Sequence, residues 1–293
     1  MLVNSLRLKW LKYINDEVYL SLIYRKRFGK PINLKNPKGF NEKLQWLKIN
    51  YRTSLMTTCA DKAKVRGYVK DTIGDEYLIP LVGIYDQWED IVWDSLPTQF
   101  AMKANNSSGM NIISMDKNEL NEADVALEVH SWFEKNYFYD KREWQYKNIA
   151  PKIVVENLLL DSKGNVPSDI KIHCFKKDSD DFEFVIQVDE DRFGEHKQAY
   201  FDKDWNQLDI EFSSKSFKTD NTLSNDTKRP ALLEEVLDLT KKIAQPFCYS
   251  RIDFFIVDNK IYFGEVTFHH HSGFSHISSD WDLELGKKIR LEM

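Results

Sequence analysis

The chain has 293 residues, 42% of them hydrophobic, enough for a sizeable core in one large domain or two to three packed lobes. Its 46 acidic and 41 basic residues are mixed along its length for a net charge of -5, so no field capable of holding a nucleic-acid backbone is evident and a nucleic-acid partner is not expected. Cys59, Cys174 and Cys248 lack paired spacing, no apolar run reaches the roughly 18 residues of a membrane span, and Met1 opens no signal peptide, so a cytoplasmic protein without a disulfide framework or zinc knuckle is expected.

Residues 2–14 alternate Arg7, Lys9 and Lys12 with Leu6, Leu8, Trp10 and Leu11, a pattern that suits either helix packing or a peripheral contact with the anionic inner face of the membrane. Helices are expected over 17–28, over 42–50 after the Asn36-Pro37-Lys38-Gly39 turn, and over 61–69, making residues 1–75 an N-terminal helical cap. From Tyr77 short apolar strands take over: YLIPLVGIY, a helical QWEDIVW, then FAMKA and NIIS around a Gly-containing loop, and a helix over 121–135. These fill an α+β lobe over 76–150. A second α+β lobe over 151–293 holds KIVVENLLL, SDIKIHCFKK and FEFVIQV, a polar stretch over 202–229, a helix over 231–244 and a terminal hairpin of YSRIDFFIV and IYFGEVTF.

Four constellations could carry chemistry. In residues 100–113, Lys103 sits in a strand before a small polar loop containing Ser107, Ser108 and Gly109, whose backbone amides can approach phosphate oxygens; an ordinary hairpin with a solvent-facing lysine fits too. In the hairpin, Asp253 and Glu265 share a face if the turn is the three residues 258–260, and opposed carboxylates repel unless a cation such as magnesium lies between them. A two-residue turn would instead set them on opposite faces. Asp169, Lys171 and His173 alternate on one strand face, either solvated or functional. His269, His270 and His271 are adjacent and cannot all point one way, which suits a loop hydrogen-bonding an anionic substrate better than a zinc site.

In order, the stretches FNEKLQWLK (40–48), ADKAKVRGYV (60–69), FAMKANNSSGMNII (100–113), EWQYKNIAPKIVVENLL (143–159), DIKIHCF (169–175) and YSRIDFFIVDNKIYFGEVTFHHHSGF (249–274) resemble the ATP-grasp superfamily, in its branch associated with teichuronopeptide and capsular polysaccharide biosynthesis. The resemblance implies an α+β ATP-grasp fold whose two lobes sandwich ATP, with Mg2+ as second cofactor. It implies that Lys103 holds the phosphates beneath a flexible flap over 105–110, with Lys62 or Lys64 contributing, and that Glu156, Asn157 and Leu158 meet the adenine and ribose. Lys171, with Asp169 beside it, then faces the phosphates or the acyl group, Arg251 balances developing charge, and Asp253 and Glu265 hold metal. Thr267 stands where the superfamily usually has asparagine and can still offer the metal one oxygen ligand, and histidines replace a Pro-Gly pair.

The reaction this implies activates a carboxylate, a uronic acid of a surface or capsular glycan, as an acyl phosphate that the amine of an amino acid attacks to give an amide. Two other readings suit a polysaccharide setting. A glycosyltransferase would want an Asp-x-Asp metal motif, whereas Asp189-Glu190-Asp191 resembles a charged turn. A non-catalytic glycan binder would use the eight tryptophans for sugar stacking, although their helical spacing favours core packing.

Overall fold

The computed structural model describes residues 13–190, 197–212 and 227–291. The basic-apolar residues 2–12 and residues 213–226 of the expected polar stretch lie outside these. The first helix, α1 (Asp16–Phe28), is capped by the Asn15 side chain and ends at Gly29 in the left-handed region, and α2 (Phe40–Asn50) follows close to expectation. The helix expected over 61–69 is displaced. Thr53 caps an unforeseen α3 (Ser54–Ala60), and the Asp61 carboxylate accepts from the backbone amides of Ala63 and Lys64, so the chain turns there and α4 (Val65–Ile73) starts four residues later. The expected helical QWEDIVW is two short 3-10 turns, Trp88–Asp90 and Trp93–Ser95.

Strands β1 (Leu81–Tyr85), β2 (Phe100–Ala104), β3 (Asn111–Ser114) and β4 (Ile153–Asn157) form an antiparallel sheet in the order β1-β4-β2-β3. Alternation sends Phe100 and Met102 down against Val125, Val129 and Trp132 of α5 (Glu122–Phe133), leaving Lys103 on the opposite face. A boundary at 150/151 therefore falls too early, because β4 hydrogen-bonds between β1 and β2 and closes the small lobe instead of opening the large one. A short α6 (Tyr137–Lys141) lies between α5 and β4.

The larger sheet has the order β10-β9-β5-β6-β7-β8, from β5 (Asp169–Lys176), β6 (Phe182–Glu190), β7 (Lys197–Phe201), β8 (Gln207–Leu208), β9 (Tyr249–Val257) and β10 (Lys260–Thr267). One face carries Ile170, Ile172, Ile252 and Phe254, packed on α7 (Leu233–Ala244) and on Met56, Val65 and Val69 of α3 and α4. A second core joins Phe40, Leu44 and Leu47 of α2 to Phe175, Tyr249 and Leu285 of α8 (Ser279–Lys288). Helices α2, α3 and α4 of the cap thus belong to the cores of the large lobe. Six tryptophans take part in the three cores: Trp132 is buried, and Trp46, Trp88, Trp93, Trp205 and Trp281 pack beside it or in the other two. Residues 81–157 form an insertion in the large lobe, and its two strand ends adjoin, Asn157 N donating to Pro80 O at 2.9 Å.

Candidate active site

The polar face of the larger sheet builds the site. Strands β9 and β10 are joined by a two-residue turn, Asp258 and Asn259, both left-handed at φ 48° and 61°. The three-residue turn expected from sequence is absent, yet Asp253 still pairs with Glu265 and Arg251 with Thr267. A bulge between Phe263 and Glu265 restores the register by one residue at Gly264. Only glycine suits this place: a Cβ there would lie 3.0 Å from the Asp253 carbonyl oxygen and 3.2 Å from the Phe255 ring.

Arg251 forks onto Asp253, its Nε donating to Oδ1 at 2.7 Å and its Nη2 to Oδ2 at 2.6 Å, and Nη2 also donates to Glu265 Oε1 at 2.9 Å. Burial pushes Asp253 up to about 6, Arg251 opposing and Glu265 assisting. Glu265, which burial also raises, is brought down to about 2 by Arg251 and Lys62. Two carboxylates so close are driven apart in protonation, the lower one keeping its charge. Thr267 Oγ1 donates to Glu265 Oε1 at 3.1 Å, placing a hydroxyl beside the pair.

On β5 the alternating residues do share a face. Lys171 Nζ donates to Asp169 and to Asp189 across the register with β6. Asp189 is therefore no turn residue: it is buried within a strand, and Gln187 Nε2 also donates to it at 2.8 Å. His173 continues the row, its Nε2 3.2 Å from Gln187 Oε1 and its Nδ1 3.0 Å from the Tyr249 hydroxyl. Sequence reasoning missed Asp189 as a partner of Lys171, since only the pairing of Asp169 with Asp189 reveals it.

The loop over 105–110, expected as a flexible flap, is anchored at its start. Asn105 is fully buried, its amide donating to Asp61 Oδ1 at 2.9 Å and to Ala150 O at 3.1 Å, while its own Oδ1 accepts from Lys152 N. Asn106 and Ser107 are buried as well, so the projecting tip is Ser108 and Gly109, the latter at φ 79°. Between the two candidate lysines the structure distinguishes clearly: Lys62 Nζ donates to Ser107 O at 2.5 Å and lines the site, whereas Lys64 is exposed. Burial lowers the Lys62 pKa, Glu265 pulling it back. Glu156 sits in a double ion pair with Lys103 Nζ at 2.8 Å and Arg66 Nη1 at 2.6 Å.

Two adjoining cavities open between the sheets. One, of about 240 Å³, is lined by Lys62, Lys103, Lys171, Arg251, Asp253 and Glu265, with Glu156 and Tyr146 at its edge. The other, of about 580 Å³, runs from the apolar Ile79, Ala101, Leu158 and Pro167, beside Asn157, to the polar Gln198 and His271. Lys103, Lys171, Arg251 and Glu265 line both. No group of three His, Cys, Asp or Glu side chains gathers to hold a metal among the described residues. The pair Asp253 and Glu265, with Thr267 beside it, still suits magnesium, which commonly takes one or two carboxylates and completes its shell with phosphates and water.

A family model described as TupA-like ATP-grasp matches residues 42–290. A comparison with curated proteins finds no match. Among solved structures, the chain is similar to D-alanine-D-alanine ligase of Helicobacter pylori, at 15% identity and a TM-score of 0.49 over 87% of this chain and 70% of that one. It is similar to the VanG D-Ala:D-Ser ligase of Enterococcus faecalis, at 14% identity and a TM-score of 0.43 over 79% of this chain and 61% of that one. Phosphoribosylamine–glycine ligase of Thermotoga maritima follows, at 11% identity and a TM-score of 0.41 over 72% and 48%. The chain thus spans under two thirds of the length of the last two. At such identities and scores the family match, which covers most of the chain and includes every residue of the site, decides the assignment. The chain belongs to the TupA-like ATP-grasp family.

Proposed function

We propose that this protein is an ATP-dependent carboxylate–amine ligase whose acid substrate is a uronic acid of a surface or capsular glycan and whose amine is that of an amino acid. The observation that carries the ligase reading is one cavity in which Lys62, Lys103, Lys171 and Arg251 converge over Asp253 and Glu265. With Arg66 they make five cations beside the four carboxylates of Glu156, Asp169, Asp253 and Glu265, a set that suits a polyphosphate with its metal better than a neutral ligand.

ATP and Mg2+ are the cofactors of ATP-grasp ligases: ATP supplies the phosphoryl group that turns a carboxylate, a poor electrophile, into an acyl phosphate, and the metal neutralises phosphate charge. The residues of this chain divide the remaining work. Asp253 and Glu265 would hold the metal, with Thr267 at its margin. Lys103 and Lys62 balance the phosphates, and the backbone amides at Ser107, Ser108 and Gly109 close over them. Glu156 keeps Lys103 extended toward the cavity through their ion pair. Asn157 and Leu158 line the larger cavity, where a base would lie against its apolar end. Lys171, held by Asp169 and Asp189, and Arg251, held by Asp253, face the reacting carboxylate with little freedom to reorganise, which is what lowers a barrier by charge stabilisation. A cytoplasmic location, where ATP is plentiful, belongs to the same proposal; no helix among the described residues is long and apolar enough to cross a membrane.

Calorimetric titration with Mg2+ and a non-hydrolysable ATP analogue tests this. We expect binding that Lys103→Ala and Glu265→Ala each weaken about ten- to a hundredfold, the loss of a charge-assisted contact. Folded protein that ignored the analogue and bound a sugar nucleotide would turn the assignment to glycosyl transfer.

A further inference from the structure

The turn over residues 269–273 is held in a conformation it would not adopt alone. His271, Ser272 and Gly273 are successively left-handed, at φ 46°, 55° and 63°, and two of the three carry side chains that rarely accept it. What fixes the turn is α2. Its Asn41, Gln45 and Lys48, spaced by four and three, lie on one helix face. Gln45 Nε2 donates to Ser272 O at 2.9 Å and to Gly273 O at 2.7 Å, and Lys48 Nζ donates to Ser272 O at 2.8 Å. Asn41 exchanges two hydrogen bonds with the backbone of Ser275, and Ser272 Oγ donates to the buried Glu143 at 2.5 Å. The fit leaves no slack: a Cβ on Gly273 would stand 2.5 Å from Gln45 Nε2.

The result is a defined placement of two imidazoles. His270 is buried with its Nδ1 3.0 Å from Arg251 Nη1, so that nitrogen accepts and the ring is the neutral tautomer protonated at Nε2. His271 stacks on it at 4.1 Å between ring centroids and stands exposed in the wall of the larger cavity, which Gln198, Lys171 and Arg251 also line. This end of the cavity differs in chemistry from the phosphate end. An imidazole and a carboxamide each donate and accept, as a sugar hydroxyl requires, while Lys171 and Arg251 remain for a carboxylate.

We propose that the 269–273 turn reads the hydroxyl groups of the acid substrate, with His271 as the specificity-determining residue and Gln45 and Lys48 as positioning residues acting through it. The inference rests on the ligase reading of the cavity. A ligand-observed NMR titration tests it, with Mg2+ and the ATP analogue present throughout. The probes are D-glucuronate and cyclohexanecarboxylate, a ring acid of similar size without hydroxyls. Wild-type protein should prefer glucuronate tenfold or more. His271→Ala should abolish the preference while leaving affinity for cyclohexanecarboxylate and for the nucleotide analogue as they were, and His271→Asn, still able to donate and accept, should recover part of it. Gln45→Ala should lose the preference without losing nucleotide binding, a pattern that general destabilisation would not produce. His271→Ala with an intact preference overturns the proposal, and because His271 is exposed that variant keeps its fold. Wild-type protein that binds the analogue but does not discriminate between the acids also overturns it, leaving the nucleotide site standing; failure to bind the analogue is failure of the ligase reading itself.

Discussion

Gly264 decides whether Asp253 and Glu265 face each other. A two-residue turn over Asp258 and Asn259 continued without interruption would pair Asp253 with residue 264 and send Glu265 to the opposite side of the sheet. The bulge reverses that, so the two acids share a face by a route the spacing of the hairpin did not disclose: the turn is the two-residue alternative, yet the pairing is the one a three-residue turn would give. Gly264→Val should therefore lower stability by about 1–3 kcal/mol through the overpacked contact with Asp253 and Phe255, and should weaken Mg2+-dependent nucleotide binding well beyond that cost. Urea unfolding beside calorimetry separates the two effects, and unchanged metal dependence in a destabilised variant would show that the register had survived. Glu156 is the converse case. Strand membership was readable from its apolar neighbours, but its partners Arg66 and Lys103 are 90 and 53 residues distant, so its ion pairs could not be.

At the scale of elements, α2 was legible as a helix and opaque as a participant. Its apolar positions Phe40, Leu44 and Leu47 mark the buried side, whereas Asn41, Gln45 and Lys48 read as solvent-facing and are in fact buried against the 269–275 segment. Periodicity reports which residues avoid water, and cannot report which polar residues have found partners inside. Lys48 carries a measurable consequence. Burial lowers its pKa to about 7, with Glu143 opposing, against about 10.5 in the unfolded chain. The folded state is thus the poorer proton binder, and the stability Lys48 contributes is fully present above about 10.5 and is lost as the pH falls through 7. Relative to Lys48→Met, wild-type protein should gain stability between pH 7 and 10 by up to about 1.4 kcal/mol per pH unit. Paired urea titrations across that range would read it, and parallel curves for the two proteins would show that Lys48 stays charged. Strands were the easier elements: β5, β6, β9 and β10 follow their apolar alternation, while the short β8 and the capped α3 lacked enough periodicity to announce themselves.

For the molecule as a whole, three histidines buried without charge set its behaviour in acid. Burial, then the charge of Arg251, holds His173 down to about 3, and burial lowers His269 and, more strongly, His270. Each takes up a proton on unfolding below about 6.5, so stability should fall as the pH drops from there, His173 alone giving a slope that approaches about 1.4 kcal/mol per pH unit toward pH 3. His173→Gln should flatten that slope by close to one proton between pH 6 and 4; an unaltered slope would assign the acid limb to the carboxylates. Composition foretold a packed α+β molecule, but not its partition. The boundary near 150 falls too early because sequence order is not spatial order: β4 closes the sheet that β1 began, and α2, α3 and α4 are shared out between the cores of a lobe whose strands come much later in the chain.

The adjoining strand ends at Pro80 and Asn157 make the inserted lobe a door hung on one post. With both crossings side by side, the lobe joins the rest of the chain along one edge. The bolts are many: Asn105 on Asp61, Lys62 on Ser107, Arg66 on Glu156, Ser272 on Glu143 and Lys48 on Lys141. Any opening of the lobe would have to break these contacts together, so the door is held shut from several sides at once.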